Sequence, residues 1–251
     1  MEHWYYYVLL VVVGIIVGII NTMSGGGSLL TLPVLIFIGL PSNVANGTNR
    51  IAIVIQSIFN IAGYQSKKAI DKSWFPIYLS ISATIGAIIG AKLAIDIKGE
   101  LFNKILAVVM VTVVGFMVFR PKQNFSQLAD RITGKYLKYS VIAFFFIGIY
   151  GGFIQAGTGI FILLLLSSIN HLTLIKSNII KVIVMFIYTL AALFMFGMNL
   201  KLDWIAGLTL ASGQAVGGWF TSRWSVNKGD GIVKVFLVIM VIGMAVKLWF
   251  F

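Results

Sequence analysis

Three consecutive glycines, in the stretch Asn21-Thr-Met-Ser-Gly-Gly-Gly-Ser28, stand between two long apolar runs, and that combination limits this chain more than any other feature. The flanking runs, Trp4 to Ile20 and Leu29 to Leu40, are apolar enough to lie in a bilayer. A helix interrupted there leaves backbone N–H and C=O groups without partners, and in hydrocarbon such a break persists only where protein buries it or where it lines a wet cavity. The pattern returns at a constant offset of 132 residues: Gly157-Thr-Gly159 falls on Gly25-Gly-Gly27, and Ser177-Asn178 falls on Ala45-Asn46. Interrupted apolar segments at matching positions of two halves point to a transporter whose substrate binds where the interruptions meet.

Composition supports a membrane setting. With 59% hydrophobic residues, 10% charged residues and a mean hydropathy of +1.00, the chain has too little polar surface to close a water-soluble globule. Its net charge of +12 would suggest nucleic acid in a soluble protein, but here Lys and Arg sit in short loops between apolar runs, where they orient helices and meet anionic lipid. Nucleic acid is therefore excluded as a partner. The chain has no cysteine and two histidines, His3 and His171, which excludes disulfides, thiolate metal sites and a His-based metal site. The first apolar run lacks a basic n-region and a small-residue cleavage signature, so a retained helix is expected.

Ten apolar runs follow one another: Trp4–Ile20, Leu29–Leu40, Ile51–Tyr64, Trp74–Ile95, Leu101–Phe119, Tyr139–Ile154, Ile160–Ile169, Leu172–Met198, Trp204–Trp224 and Ile232–Phe251. The second run of each half is too short for a spanning helix of about 20 residues. The expected fold is an all-α integral membrane protein of two inverted repeats, residues 1–119 and 139–251, joined by a basic linker at 120–138. Five crossings per half place twelve Lys and Arg on one side and six on the other, with Lys181 intramembrane, which puts both termini outside the cytoplasm. Trp74 and Trp204 open the fourth segments as interfacial tryptophans do. Those segments carry Gly86/Gly90 and Gly213/Gly217, a spacing of four that allows close helix contact within one chain or between the chains of a homodimer.

The chemistry is read from the interruptions. A helix restarting within the membrane offers free N–H groups and the positive end of its dipole, together an anion site. Ser24, Gly25, Gly26, Gly27 and Ser28 open the second segment in this way, and Gln155, Gly157, Thr158 and Gly159 open the seventh. The third segments add Asn46, Thr48 and Asn49 in one half, with Gln56, Ser57 and Asn60 extending the polar face, and Asn178 and Lys181 in the other. Lys181 lies in an otherwise apolar run, where an ionisable group defaults to a functional role, here as counter-charge to an anion. Snorkelling to the interface is the competing reading for Lys181 and the stronger one for Arg50. All seven acidic residues fall in or beside loops, so no buried carboxylate is expected as a proton relay or sodium ligand. No nucleotide-binding loop, protease dyad or cofactor signature exists, and an enzyme is not expected. A passive anion channel, or a non-transporting lipid-organising protein, remains open on these residues alone.

The glycine cluster, Pro33 and Ala45-Asn-Gly-Thr48 together make the chain similar to the TauE/SafE-like family of membrane permeases over essentially its whole length. The motif residues are Gly25, Gly26, Gly27, Pro33, Ala45, Gly47 and Thr48; the second half departs from them, with Leu165 at the proline position and Ile179 and Ile180 where Gly47 and Thr48 stand. The resemblance implies a multi-pass transporter of the bacterial inner membrane that exports sulfite or a small organosulfonate such as sulfoacetate, with uptake of a related sulfur anion as the alternative direction. Its partners would be that anion and membrane lipid, and no cofactor is implied.

Overall fold

The computed structural model describes residues 4–70, 73–119 and 129–224. The tenth apolar run, Ile232–Phe251, and residues 120–128 of the expected linker lie outside the described residues. Nine α-helices and no strand are found among the described residues: α1 (Tyr5–Ser24), α2 (Ser28–Phe37), α3 (Ser42–Ser66), α4 (Phe75–Asp96), α5 (Gly99–Phe119), α6 (Gly134–Phe153), α7 (Thr158–Ser168), α8 (Leu174–Asn199) and α9 (Trp204–Trp224).

The helix ends follow from local chemistry. Gly25 takes the left-handed conformation at φ 78° and its N–H returns to the Asn21 carbonyl, so α1 stops there. Gly157 is also left-handed, at φ 73°, in the position just ahead of α7. Pro33 removes one N–H from α2, a helix of only ten residues. At 1.5 Å per residue, α2 and α7 are each about 15 Å long, about half the hydrocarbon thickness. Four described helices, α1, α4, α6 and α8, are long and apolar enough to cross a membrane.

Two helix starts lie well ahead of the apolar runs read from the sequence. Helix α3 starts at Ser42, right after Pro41, well before the apolar run that begins at Ile51, so Asn46 and Asn49 share a helix as their spacing predicts and Thr48 and Arg50 lie on it with them. The helix forms through this polar stretch because its side chains are buried against protein. Helix α6 starts at Gly134 rather than Tyr139, so the final part of the basic linker is helical.

Packing exchanges partners between the halves. Helix α1 lies on α9 and α6 on α4, while α3 contacts α9 and α8, and α8 contacts α4. Glycines make these approaches possible. A Cβ at Gly86 would sit 2.1 Å from the Phe145 carbonyl oxygen, and one at Gly90 would sit 1.9 Å from that of Ile149. Gly148 and Gly152 on α6 return the approach against Ala83 and Ala87, at 2.1 Å each. A Cβ at Gly213 or Gly217 would lie 2.2 Å from the Val11 or Ile15 carbonyl oxygen of α1, and Gly14 and Gly18 of α1 face α9 in return. All these contacts lie within the chain, and backbone-to-backbone contact of this kind substitutes for the hydrophobic drive that lipid does not provide. Outward faces carry Ile77, Ile81, Ile85, Leu93, Ile205 and Leu208, all exposed, while Arg50, Asn46, Asn49, Gln56 and Lys181 are buried, so polarity increases inward. From the first half, α5 lays Phe102, Leu106, Met110 and Val113 over α2 and over Ile154, Ala156 and Ile160, sealing the second interruption in an apolar cluster.

Gly90→Ala is expected to overpack the α4–α6 contact, at a cost of about 1–3 kcal/mol, and to lower the thermal midpoint in detergent. Gly115→Ala on α5, where a Cβ meets nothing within 4 Å, serves as the control and should melt with the wild type. Equal midpoints for both variants would mean that α4 and α6 do not approach this closely.

Candidate transport site

The two interruptions touch. A Cβ at Gly25 would lie 2.4 Å from the carbonyl carbon of Gly159, and one at Gly159 would lie 2.6 Å from the Gly25 Cα. Only glycine fits at either point, and at Gly25 the positive φ adds a second reason. Around this contact the chain restarts twice: the Leu29 and Leu30 amides donate to the Gly26 and Gly27 carbonyls, and the Ile160 amide donates to Gly157. The amides of Gly26, Gly27 and Gly157 carry no backbone hydrogen bond among the described residues. They stand at the positive ends of α2 and α7, where an anion is favoured.

The opposite ends of the breaks are held by cations. The last carbonyls of any helix lack intrahelical partners, and here buried side chains serve them. Lys181 of α8, 1% exposed, donates from Nζ to the Asn21 carbonyl at 2.9 Å, the Thr22 carbonyl at 3.0 Å and Asn178 Oδ1 at 2.7 Å. Asn178 Nδ2 reaches the Met23 carbonyl at 3.5 Å. Arg50 of α3, fully buried, does the corresponding work on α6: Nη1 donates to the Gly151 carbonyl at 3.1 Å and to Gln155 Oε1 at 2.7 Å, and Nη2 donates to the Gly152 carbonyl at 2.6 Å. Asn46 Nδ2 donates to the Phe153 carbonyl at 2.7 Å, and the guanidinium lies over the Phe196 ring, 4.7 Å from its centroid. Each half therefore sends an Asn and a cation from its third helix to close the broken helix of the other half.

Neutral amides complete the frame. Asn21 Nδ2 donates to Gln56 Oε1 at 2.8 Å, Gln56 Nε2 donates to the Gly18 carbonyl at 3.1 Å, and Thr22 Oγ1 lies 3.2 Å from Asn60 Oδ1, which ties the last turn of α1 to α3. Gln155, a non-glycine residue at φ 61°, donates from Nε2 to Thr189 Oγ1 at 2.9 Å.

The residues singled out from the sequence divide accordingly. Gly25, Gly26, Gly27, Gly157 and Gly159 form the two facing loops. Asn46, Gln155, Asn178 and Lys181 hold the helix ends. Ser28 and Thr158 are buried beside them, with Thr158 Oγ1 donating to the Gln155 carbonyl, and Ser24 Oγ turns back to the Ile20 carbonyl. Thr48 is directed elsewhere: its Oγ1 accepts from the Asp203 amide at 3.1 Å, in the turn that starts α9. Asn49 is fully buried, and both its side-chain Oδ1 and Nδ2 lack a hydrogen-bond partner among the described residues. Arg50 corrects the interfacial reading, since the guanidinium points into the protein rather than toward headgroups. Its spacing of four from Asn46 was the available signal, because residues at i and i+4 share a helix face. Asn21 and Thr22 were not singled out; their part is played mainly by backbone carbonyls, which no residue type reveals.

Comparison with known proteins places this arrangement. The sulfite exporter TauE/SafE family matches residues 10–248. A probable membrane transporter protein of Haemophilus influenzae is 25% identical over 242 residues, covering 96% of this chain and 93% of the relative. The probable membrane transporter protein ORF9 of a Sinorhizobium species is 27% identical over 240 residues, covering 95% and 90%. The probable membrane transporter protein YfcA of Escherichia coli K12 is 25% identical over 236 residues, covering 94% and 87%. No solved structure matches the chain. With the family's match running almost end to end over apolar helices and paired interruptions, the chain belongs to the sulfite exporter TauE/SafE family and is a multi-pass membrane transporter rather than an enzyme.

Proposed function

We propose that the protein is a secondary transporter that exports a small oxyanion, sulfite or an organosulfonate such as sulfoacetate, across the bacterial inner membrane, and that it is built from two inverted repeats rocking about the contact of their interruptions. The observation that carries this reading is the Gly25–Gly159 contact, which brings the amide ends of α2 and α7 together. The Gly26, Gly27 and Gly157 amides would bind the oxyanion, with Ser24, Ser28, Thr158 and Asn49 completing the shell. Asn46, Gln155 and Asn178 would position it indirectly, through the helix ends they hold.

Charge supports an anion. A helix C-terminus carries roughly half a negative charge, whereas Arg50 and Lys181 each bring a full positive one to such an end. Positive potential therefore remains beside the loops, where a dianion or monoanion would sit. An anion leaving a negative-inside cell gains about 2.3 kcal/mol per charge per 100 mV, so export needs no further energy source.

The direct test is flux in proteoliposomes of purified protein under an imposed potential, with sulfite, sulfoacetate, thiosulfate, sulfate and chloride offered in turn. Saturable transport of sulfite or a sulfonate, accelerated by potential and showing counterflow, is the expected result. Chloride carried as large unitary currents would instead identify a channel.

Two substitutions probe the site, one at a helix end and one in the shell. Lys181→Ala is expected to cut sulfite flux at least tenfold, an effect of about 1.4 kcal/mol or more, in protein that stays folded at assay temperature. Asn49→Ala should change stability by less than about 1 kcal/mol, because the amide removed makes no compensating hydrogen bond, yet should also cut flux. Flux unchanged in the Asn49 variant would remove that residue from the shell.

A further inference from the structure

In transporters with interrupted helices, unwound carbonyls and half-helix C-terminal ends are the usual ligands of a coupling cation. Here both such ends already hold a cation, and in each case the protein supplies it. The oxygens around Lys181 Nζ, the Asn21 and Thr22 carbonyls and Asn178 Oδ1, surround it at 2.7–3.0 Å as they would a bound ion. The Arg50 guanidinium takes the Gly151 and Gly152 carbonyls and Gln155 Oε1 at 2.6–3.1 Å. Both side chains come from the opposite half of the chain, and both are accompanied by an asparagine at the matching position, Asn46 and Asn178. The asparagines match across the 132-residue offset, while each half places its cation on its own register, with Lys181 falling on Asn49 and Arg50 on Val182. A free cation entering either set of carbonyls would meet a like charge at contact distance.

We propose that Arg50 and Lys181 are tethered cations standing in for inorganic coupling ions, so that the transporter moves its anion without Na+ or another metal cation at the helix ends. This deepens the anion-exporter reading and, for flux alone, rests on it. Two consequences follow from the oxygen geometry. Removing the lysine ammonium leaves a cage sized for a small monovalent amine, and removing the guanidinium leaves one suited to a planar cation.

The experiment has two arms. In proteoliposomes, wild-type sulfite efflux is measured with Na+, K+ or choline as the sole cation. Rates within twofold of one another are expected, and a tenfold fall when Na+ is withdrawn would overturn the proposal. In detergent, thermal midpoints are measured for the wild type, Lys181→Ala and Arg50→Ala with sodium, choline, methylammonium or guanidinium chloride at equal millimolar concentration. The wild type should not distinguish these salts. Lys181→Ala should melt lower and recover at least half of the loss with methylammonium but not with choline, and Arg50→Ala should recover with guanidinium. A wild type stabilised by Na+ relative to choline, or variants that fold yet recover with no cation, would overturn it. If both variants fail to fold, the wild-type salt comparison decides. If no anion is carried at all, the substrate assignment fails while the detergent arm still decides the cation proposal.

Discussion

Everything in this protein depends on how carbonyl groups at the ends of two interrupted helices find partners away from water. An unsatisfied carbonyl in a low-dielectric interior costs the desolvation of that group, and each interruption exposes several at once. The chain meets this requirement with side chains carried on long, well-packed helices: Lys181 and Asn178 from α8 for α1, Arg50 and Asn46 from α3 for α6. Because each pair crosses from one half to the other, the ends cannot be satisfied by either half alone.

That constraint explains why the backbones lie so close. For α3 to reach α6, and α8 to reach α1, the neighbouring helices must pack almost in backbone contact. Gly86 and Gly90 on α4 with Gly148 and Gly152 on α6, and Gly213 and Gly217 on α9 with Gly14 and Gly18 on α1, allow each pair of helices to do so. Tight packing places the polar cross-links, and the cross-links in turn justify the interruptions. The same arrangement leaves the amides of Gly26, Gly27 and Gly157 without a backbone hydrogen bond among the described residues, beside the contact of Gly25 with Gly159.

The positions of the helices were largely legible. The apolar run read from Trp204 onward starts where α9 does, because an interfacial tryptophan marks where an apolar run begins. The short segments following the glycines were legible for the same reason, since length alone separates them from spanning helices. The start of α3 at Ser42 was not, because the apolar run begins only at Ile51, although the spacing of Asn46 and Asn49 already put them on one helical face. Arg50 was misplaced because an arginine at the edge of an apolar run reaches headgroups as easily as interior carbonyls, and the choice is made by what packs beside it.

The sequence by itself determined that the chain is a membrane protein, that its helices break twice at equivalent positions, and that Lys181 lies within an apolar run, because hydropathy, glycine and repeat offset are properties of local composition. It also carried the family resemblance, through the glycine cluster, Pro33 and Ala45 to Thr48. Only the tertiary structure decided that the breaks meet at Gly25 and Gly159, that the cations of each half close the helix of the other, and that Thr48 serves the turn before α9. Those facts join residues more than a hundred positions apart, often through backbone atoms common to every residue, and no local pattern records which carbonyl a distant ammonium will find.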